Sequence, residues 1–263
     1  KKKVLTGLGL QHVRIAVSGS APIPPDLISW YRSLGLELLE GYGMSEDFAY
    51  SHASYPGKTR VGYVGNPMPG VDVQISEEGE VLIKSPANMM CYYKEPEMTA
   101  ECYTEDGFFR TGDRGERDEE GRLRITGRVK ELFKTSTGKY VAPAPIENLL
   151  NNHSKVELCC VTGSGRPQAC ALVLPAEELR PKLSDAAVRE QFEGELTSLL
   201  AEVNDEVEAF ERLQFLVVVK DPWQIENGFL TPTMKIKRSM LEDTYGPQMD
   251  DWYAAGKKVV WES

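Results

Sequence analysis

The sequence predicts an α/β protein in two parts: an α/β layer with a β-rich subdomain over residues 1–127, then a smaller α+β domain over residues 128–263. Three observations predict it. A strand, a turn, a helix and a second strand succeed one another before residue 41, the alternation of a layered α/β domain. Short strands punctuated by Gly and Pro fill residues 60–127, the texture of a β-rich subdomain or small barrel. Beyond Arg128, helices alternate with strands over about 135 residues, the size of one compact domain.

Residues 13–18 (Val-Arg-Ile-Ala-Val-Ser) alternate as a strand should, and Gly19 to Pro25 read as a turn. Asp26 to Leu34 then places Leu27, Trp30, Tyr31 and Leu34 at helical spacing, and Gly35 ends the run. A short strand around Glu37–Glu40 leads into the loop Gly41-Tyr42-Gly43-Met44-Ser45-Glu46. In the β-rich stretch the clearest strands are Val71–Ile75, Glu80–Lys84 and Leu123–Thr126. After Arg128 come short strands near 131–134 and 139–141, then a helix over about 145–151 with Pro143 and Pro145 near its start. Strands near 156–162 and 169–174 precede a long amphipathic helix over 184–204. A β run at Leu213–Val219 and a helical stretch near 239–254 complete the chain.

A 41% hydrophobic and 27% charged composition is that of a globular protein with a real core. No apolar run reaches the roughly 18 residues that would span a bilayer. The start Lys1-Lys2-Lys3-Val4-Leu5 lacks the apolar region of a signal peptide. A net charge of −10 argues against general nucleic-acid binding, which needs a basic face, yet permits an anionic nucleotide held by local cations. Five cysteines, among them the adjacent Cys159 and Cys160, fit neither a disulfide framework nor zinc spacing. Reduced thiols in a cytoplasmic protein are the expectation.

Four segments carry candidate chemistry, and each alone also has an ordinary structural reading. Ser18-Gly19-Ser20-Ala21-Pro22 follows a strand, and its small residues let a flat ring approach the backbone. In Gly41–Glu46 a tyrosine between glycines can lie against a purine. Ser45 can donate to a phosphate oxygen, and Glu46 can hold Mg²⁺, a hard cation that prefers oxygen. In Phe108-Phe109-Arg110-Thr111-Gly112-Asp113 the carboxylate can accept from the paired hydroxyls of a ribose, and Arg128 of the later Gly127-Arg128 offers a forked donor. In Leu230-Thr231-Pro232-Thr233-Met234-Lys235-Ile236-Lys237-Arg238 a lysine on a constrained loop can bring compact positive charge to a reacting phosphate. The stretch Thr135-Ser136-Thr137-Gly138-Lys139 suggests a P-loop, but that pattern requires glycine at 133 and Ser or Thr at 140, where Phe133 and Tyr140 stand.

Taken in order, the four segments resemble the motifs of the adenylate-forming superfamily of acyl-CoA synthetases, luciferases and adenylation domains. Gly41–Glu46, the stretch from Lys134 to Glu147 and Leu230–Arg238 are most similar to long-chain fatty acid CoA ligases. The resemblance implies the C-terminal portion of the large AMP-binding domain followed by a small mobile lid domain. It implies that Tyr42 packs on adenine, Ser45 touches the α-phosphate, and Glu46 supports Mg²⁺. Ser20, Ala21 and Pro22, with Gly41 and Gly43, would line the nucleotide pocket. Asp113 and Arg128 would bind ribose, and Ile125 would lay apolar surface against the nucleotide. Lys235 would serve adenylation, Lys130 would sit at the hinge, and Lys134 with the loop around Gly138 would serve the second half-reaction. ATP, AMP, Mg²⁺, coenzyme A and a fatty acid are the implied cofactors and substrates.

The family's Gly/Ser/Thr-rich phosphate loop has no counterpart before residue 18, so a missing N-terminal part is an implied partner and the chain alone is expected to be inactive. Peripheral membrane contact stays open at this level. Two alternatives remain: a fatty-acyl-AMP ligase loading a carrier protein, and a non-catalytic nucleotide-binding module.

Overall fold

The computed structural model describes residues 1–262 and divides into two compact units, Lys1–Lys130 and a second beginning at Glu131. The sequence reading drew the division after residue 127. Pairing of the last strand in the first unit runs through Arg128, and one 3₁₀ turn at Val129–Glu131 follows it.

The first unit opens with α1 (Lys2–Gly7), β1 (Ala16–Ser18), α2 (Pro25–Leu34) and β2 (Leu38–Tyr42), followed by the two-residue strands β3 (His52–Ala53) and β4 (Asn66–Pro67). These strands form one sheet in sequence order, with β1 and β2 parallel and the remaining pairs antiparallel. Helix α2 starts on Pro25, whose missing N–H costs nothing at a helix N-terminus. It ends at Gly35, which takes the left-handed conformation (φ 95°) that caps the last carbonyls. Strand β2 extends through Gly41 and Tyr42, so these residues are strand rather than loop as the sequence suggested.

A second antiparallel sheet follows: β5 (Asp72–Ile75), β6 (Glu80–Lys84), β7 (Phe109–Arg117) and β8 (Leu123–Arg128), in that order, with helix α3 (Pro96–Glu101) between β6 and β7. Val71, Val81, Ile83, Phe109 and Leu123 form its core. The sequence reading missed β7 because its residues are almost all polar or glycine. Phe109, Asp113 and Gly115 are the ones it buries. Gly115 is required there: a Cβ would stand 2.8 Å from Val81 Cγ2, beside the register shift between Arg114 and Gly115.

The second unit begins with the hairpin β9 (Phe133–Lys134) and β10 (Tyr140–Val141), then α4 (Pro143–Leu150). Strands β11 (Val156–Thr162) and β12 (Ala169–Pro175) precede α5 (Ala186–Glu206), β13 (Leu213–Val218), α6 (Arg238–Tyr245), α7 (Met249–Ala254) and β14 (Val259–Trp261). The sheet order is β11-β12-β13-β14, with the first pair antiparallel and the other two parallel. Helices cover both faces. On one, Cys159, Val161, Val173 and Leu216 meet Ile146 and Leu150 of α4 and Phe192 and Leu196 of α5. On the other, Cys160, Leu172, Phe215 and Val217 meet Leu241 and Tyr245 of α6 and Trp252 of α7. A strand covered on both sides is apolar at nearly every position, which is why β12 reads as an unbroken hydrophobic run and β11 and β13 depart from one only at Glu157, Thr162 and Gln214.

Asp185 caps α5 by accepting from the N–H groups of Ala187 (2.8 Å) and Val188 (3.3 Å). The expected helix over 239–254 is two helices, because Gly246-Pro247 inserts a 3₁₀ turn. No helix among the described residues is long and apolar enough to cross a membrane.

Candidate active site

Parallel pairing sets Ser18 beside Glu40, so the turn after β1 leaves the sheet next to the end of β2. Ligands of α/β sheets gather at the carboxyl ends of such parallel strands. A Cβ on Gly19 would lie 3.2 Å from the Gly41 carbonyl oxygen, so the two backbones run close together. Ser20, Ala21 and Pro22 are exposed beyond this point, and Ser20 itself has a left-handed φ of 69°. Gly43 has a steric reason of its own: a Cβ would stand 2.6 Å from the Cα of Ala49. That close approach folds the turn carrying Ser45 and Glu46, a 3₁₀ turn over Ser45–Asp47.

Register on the second sheet brings the other motifs together. Asp113 of β7 lies directly opposite Arg128 of β8. Arg128 Nε donates to Asp113 Oδ1 at 2.9 Å, and Tyr42 Oη donates to Asp113 Oδ2 at 2.7 Å. The aspartate side chain is 9% exposed, while that of Arg128 is 60% exposed and faces solvent. Each carboxylate oxygen keeps a lone pair for a further donor. Burial and the neighbouring Asp113 charge hold the Tyr42 phenol well above its ordinary range, so it stays a donor. Tyr42, Met44 and Ile125 all pack on the Val81–Ile83–Phe109 cluster, giving the polar trio an apolar floor. Of the residues expected to converge, Tyr42, Asp113, Arg128 and Ile125 are thus joined in one arrangement.

Glu46 stands on the turn after β2. Tyr92 Oη donates to its Oε1 at 2.7 Å, and the Met89 N–H donates to its carbonyl at 2.6 Å. Among the described residues no cluster of three or more His, Cys, Asp or Glu side chains could hold a metal ion. A single carboxylate is nonetheless what Mg²⁺ takes when phosphate and water oxygens complete its shell, so Glu46 suits that ion.

Three buried polar residues near this turn lie outside the four motifs and are not candidates on sequence grounds. Asp47 Oδ1 accepts from the Met44 N–H at 2.8 Å, and its buried Oδ2 has no partner. His52, paired with Tyr42 across β2 and β3, shares a 2.8 Å hydrogen bond with the hydroxyl of the third, Ser51. Burial pushes its imidazole down to about 4. Nothing in the local pattern of residues 47–52 signals their burial.

The remaining candidates lie in the second unit. Lys134 and Gly138 belong to the β9–β10 hairpin. Gly138 has φ 85°, and its N–H donates to Thr135 O at 2.9 Å. The Lys134 ammonium lies 5.5 Å over the Tyr140 ring. Lys235 is exposed on a tight loop closed by a bridge between Leu230 and Ile236, where its N–H donates to Thr231 Oγ1 at 3.0 Å. Met234 beside it takes φ 63°. Arg238, at the loop's end, donates from Nη2 to both oxygens of Glu147 at 2.7 Å, and from Nη1 to Val161 O at 3.0 Å. Glu147 also accepts from the Val161 N–H at 2.7 Å. The loop is therefore pinned to α4 and β11 by a buried ion pair.

Comparison with known proteins places these features in a lineage. Residues 2–93 match the AMP-binding enzyme family, and residues 131–257 match the AMP-binding enzyme C-terminal domain. The chain belongs to the adenylate-forming, AMP-binding enzymes. Among relatives of this AMP-binding protein, a putative fatty-acid–CoA ligase of Mycobacterium tuberculosis, fadD11, is 34% identical over 264 residues, covering 96% of this chain and 46% of that protein. Human long-chain-fatty-acid–CoA ligase 1 is 34% identical over 283 residues, covering 97% and 40%. The chain thus spans less than half the length of these relatives. Among solved structures, the adenylation domain of a Mycobacterium chelonae carboxylate reductase superposes with TM-score 0.78 at 28% identity, over 96% of this chain and 41% of that one. That of the Segniliparus rugosus reductase, in complex with AMP and a co-purified carboxylic acid, gives 0.74 at 27% identity, over 97% and 44%.

Proposed function

We propose that this AMP-binding chain serves in the activation of a long-chain fatty acid by ATP and the transfer of the acyl group to coenzyme A. The carrying observation is the Tyr42–Asp113–Arg128 arrangement, which offers a buried carboxylate, a forked cation and an aromatic ring at one place, suited to an AMP moiety. Two of its relatives bear the name fatty-acid–CoA ligase, which supports the substrate class.

In this reading the fatty carboxylate attacks the α-phosphorus of ATP, expelling pyrophosphate and leaving acyl-AMP. Asp113 accepts from ribose hydroxyls, and the Tyr42 ring packs on adenine. Ser45 donates to the α-phosphate, and Lys235 neutralises charge that grows on the phosphate oxygens in the transition state. Mg²⁺ bound at Glu46 supplies additional charge neutralisation when present. The second unit is the mobile lid: a turn at Lys130 lets it withdraw Lys235 and present the Lys134–Tyr140 hairpin while the CoA thiol displaces AMP.

The test is kinetic dissection of Lys235→Ala in the polypeptide that carries this chain. Adenylate formation should slow by roughly 10²–10³-fold, the usual cost of one lost transition-state donor. Thioester formation from supplied acyl-AMP should be spared. Equal loss of both half-reactions would refute the role. A carrier protein is the competing acceptor, favoured by the structural match to an adenylation–carrier didomain of the S. rugosus reductase (TM-score 0.75, 28% identity, 97% of this chain and 37% of that one). Acyl transfer to a carrier but not to CoA would decide for it.

A further inference from the structure

The loop between β6 and α3 reaches the turn that carries Glu46, and it does so through a side chain to which no role has yet been given. Tyr92 lies 46 residues along the chain from Glu46, and its phenol oxygen stands 2.7 Å from Glu46 Oε1. The contact is built on both sides. Tyr92 is held from behind by its own N–H, which donates to Thr99 Oγ1 of α3 at 2.9 Å, and by Glu95, whose N–H donates to the Tyr92 carbonyl at 3.1 Å. The Met89 N–H reaches the Glu46 carbonyl at 2.6 Å, while the Met89 carbonyl accepts from Tyr103 Oη at 2.7 Å. Two of these five hydrogen bonds, from Tyr92 and from the Met89 N–H, join this loop to the acidic turn, and the Tyr92–Glu46 bond is the one that reaches a carboxylate.

Resting on the nucleotide reading above, we propose that Tyr92 is a positioning residue for Glu46. Its phenol occupies Oε1 and so fixes the carboxylate plane. Oε2 has no hydrogen bond among the described residues and remains the oxygen able to meet a hard cation through one atom. A carboxylate free to rotate offers two equivalent oxygens and loses rotamer entropy when it binds. One already anchored by a neutral donor has lost that entropy in the fold. The phenol is suited to the task because towards an ionised carboxylate it can only donate, and it does so at 2.7 Å. Phenylalanine at this position would keep the ring and its packing and lose the anchor.

Two measurements on the full chain test the proposal. The first is calorimetric titration of ATP with and without Mg²⁺, and of AMP without it, for the unsubstituted chain, Tyr92→Phe, Glu46→Gln and the double variant. Tyr92→Phe should reduce the Mg²⁺-dependent gain in ATP affinity by about tenfold or more. Mg²⁺-free AMP affinity should be unchanged, and the double variant should be no worse than Glu46→Gln alone. An undiminished Mg²⁺-dependent gain, or an equal loss of Mg²⁺-free AMP binding, overturns the proposal, the latter because a merely structural Tyr92 would move both.

The second measurement needs no nucleotide. The ¹³Cδ resonance of Glu46, assigned by its disappearance in Glu46→Gln, is compared at neutral pH in the unsubstituted chain and in Tyr92→Phe. The carboxyl resonance should move once the phenol's hydrogen bond to Oε1 is gone, and an unmoved resonance overturns the proposal. Absence of all nucleotide binding by the unsubstituted chain would count against the nucleotide reading alone, because the carboxyl resonance still decides the Tyr92–Glu46 bond.

Discussion

Arg238 joins the Lys235 loop to the body of the second unit, and replacing it by methionine is a quantitative test of how that loop is held. The guanidinium makes two 2.7 Å bonds to Glu147, one 3.0 Å bond to the Val161 carbonyl and a 3.2 Å contact to Cys160 Sγ. Glu131 stands 3.6 Å from Nε. The side chains of Arg238 and Glu147 are 19% and 12% exposed. Arg238→Met fills similar space and leaves Glu147 with the Val161 N–H as its one strong donor. Removing one partner of a buried pair costs about 3–5 kcal/mol, because the other charge stays buried and uncompensated. Replacing both by apolar residues of similar volume is often close to neutral. The account therefore predicts a strongly non-additive cycle: Arg238→Met and Glu147→Met each destabilise by about 3–5 kcal/mol, and the pair together costs less than either alone.

Burial pushes the Glu147 carboxyl up from its ordinary range, and Arg238 opposes that shift. In Arg238→Met the opposition is gone, so the folded variant holds the Glu147 proton more tightly than the unfolded chain does. Its stability should then fall as pH rises from the ordinary carboxylate range towards neutrality, and the deficit against the unsubstituted chain should shrink on acidification. Urea unfolding followed by tryptophan fluorescence is a convenient assay, since Trp223, Trp252 and Trp261 belong to the second unit and Trp30 alone to the first. Additive single-variant effects, or a loss below about 1 kcal/mol for Arg238→Met, would refute the reasoning.

Further outcomes follow from the first unit. Burial lowers the His52 imidazole to about 4, so between there and its ordinary 6.5 the unfolded chain binds more protons and stability rises with pH, by about 3 kcal/mol at most. Burial raises Glu40 to about 7, which works in the opposite direction: stability from this group is lost as pH climbs from 4.5 to 7. In His52→Gln, the stability of the first unit, read by amide exchange in β5–β8, should fall more steeply as pH rises over this range than in the unsubstituted chain. An identical pH profile would count against a buried neutral His52. Gly43→Ala forces a Cβ to 2.6 Å from the Ala49 Cα and 3.0 Å from Asp47 Oδ1, and should cost about 1–3 kcal/mol in urea unfolding. An unchanged midpoint would show that the turn carrying Glu46 can shift.

Legibility in the sequence followed burial. Strands β11, β12 and β13 were readable because helices on both faces make nearly every position apolar, and α2 because Pro25 and Gly35 mark its ends. Strand β7 was not readable. Its core-facing positions include Asp113 and Gly115, which carry a site and a close backbone approach instead of hydrophobic contact. Helices α1 and α3 and strand β14 also escaped, each too short for a period to emerge. In the candidate site, the meeting of Asp113 with Arg128 depends on antiparallel register across a bulge, which no local pattern encodes. It was legible through family resemblance alone. Tyr92 was invisible for a different reason. Its partner lies 46 residues away, and a tyrosine in a proline-flanked loop looks like ordinary surface.

The central claim is that Asp113, flanked by Tyr42 and Arg128, holds the ribose of AMP, and calorimetric titration of AMP into the chain and into Asp113→Ala tests it most directly. A charged hydrogen bond is worth about 1.5–3 kcal/mol, so the account predicts roughly 10- to 100-fold weaker AMP binding in the variant, with the tryptophan-monitored unfolding of the second unit unchanged. AMP bound equally well by Asp113→Ala would contradict it.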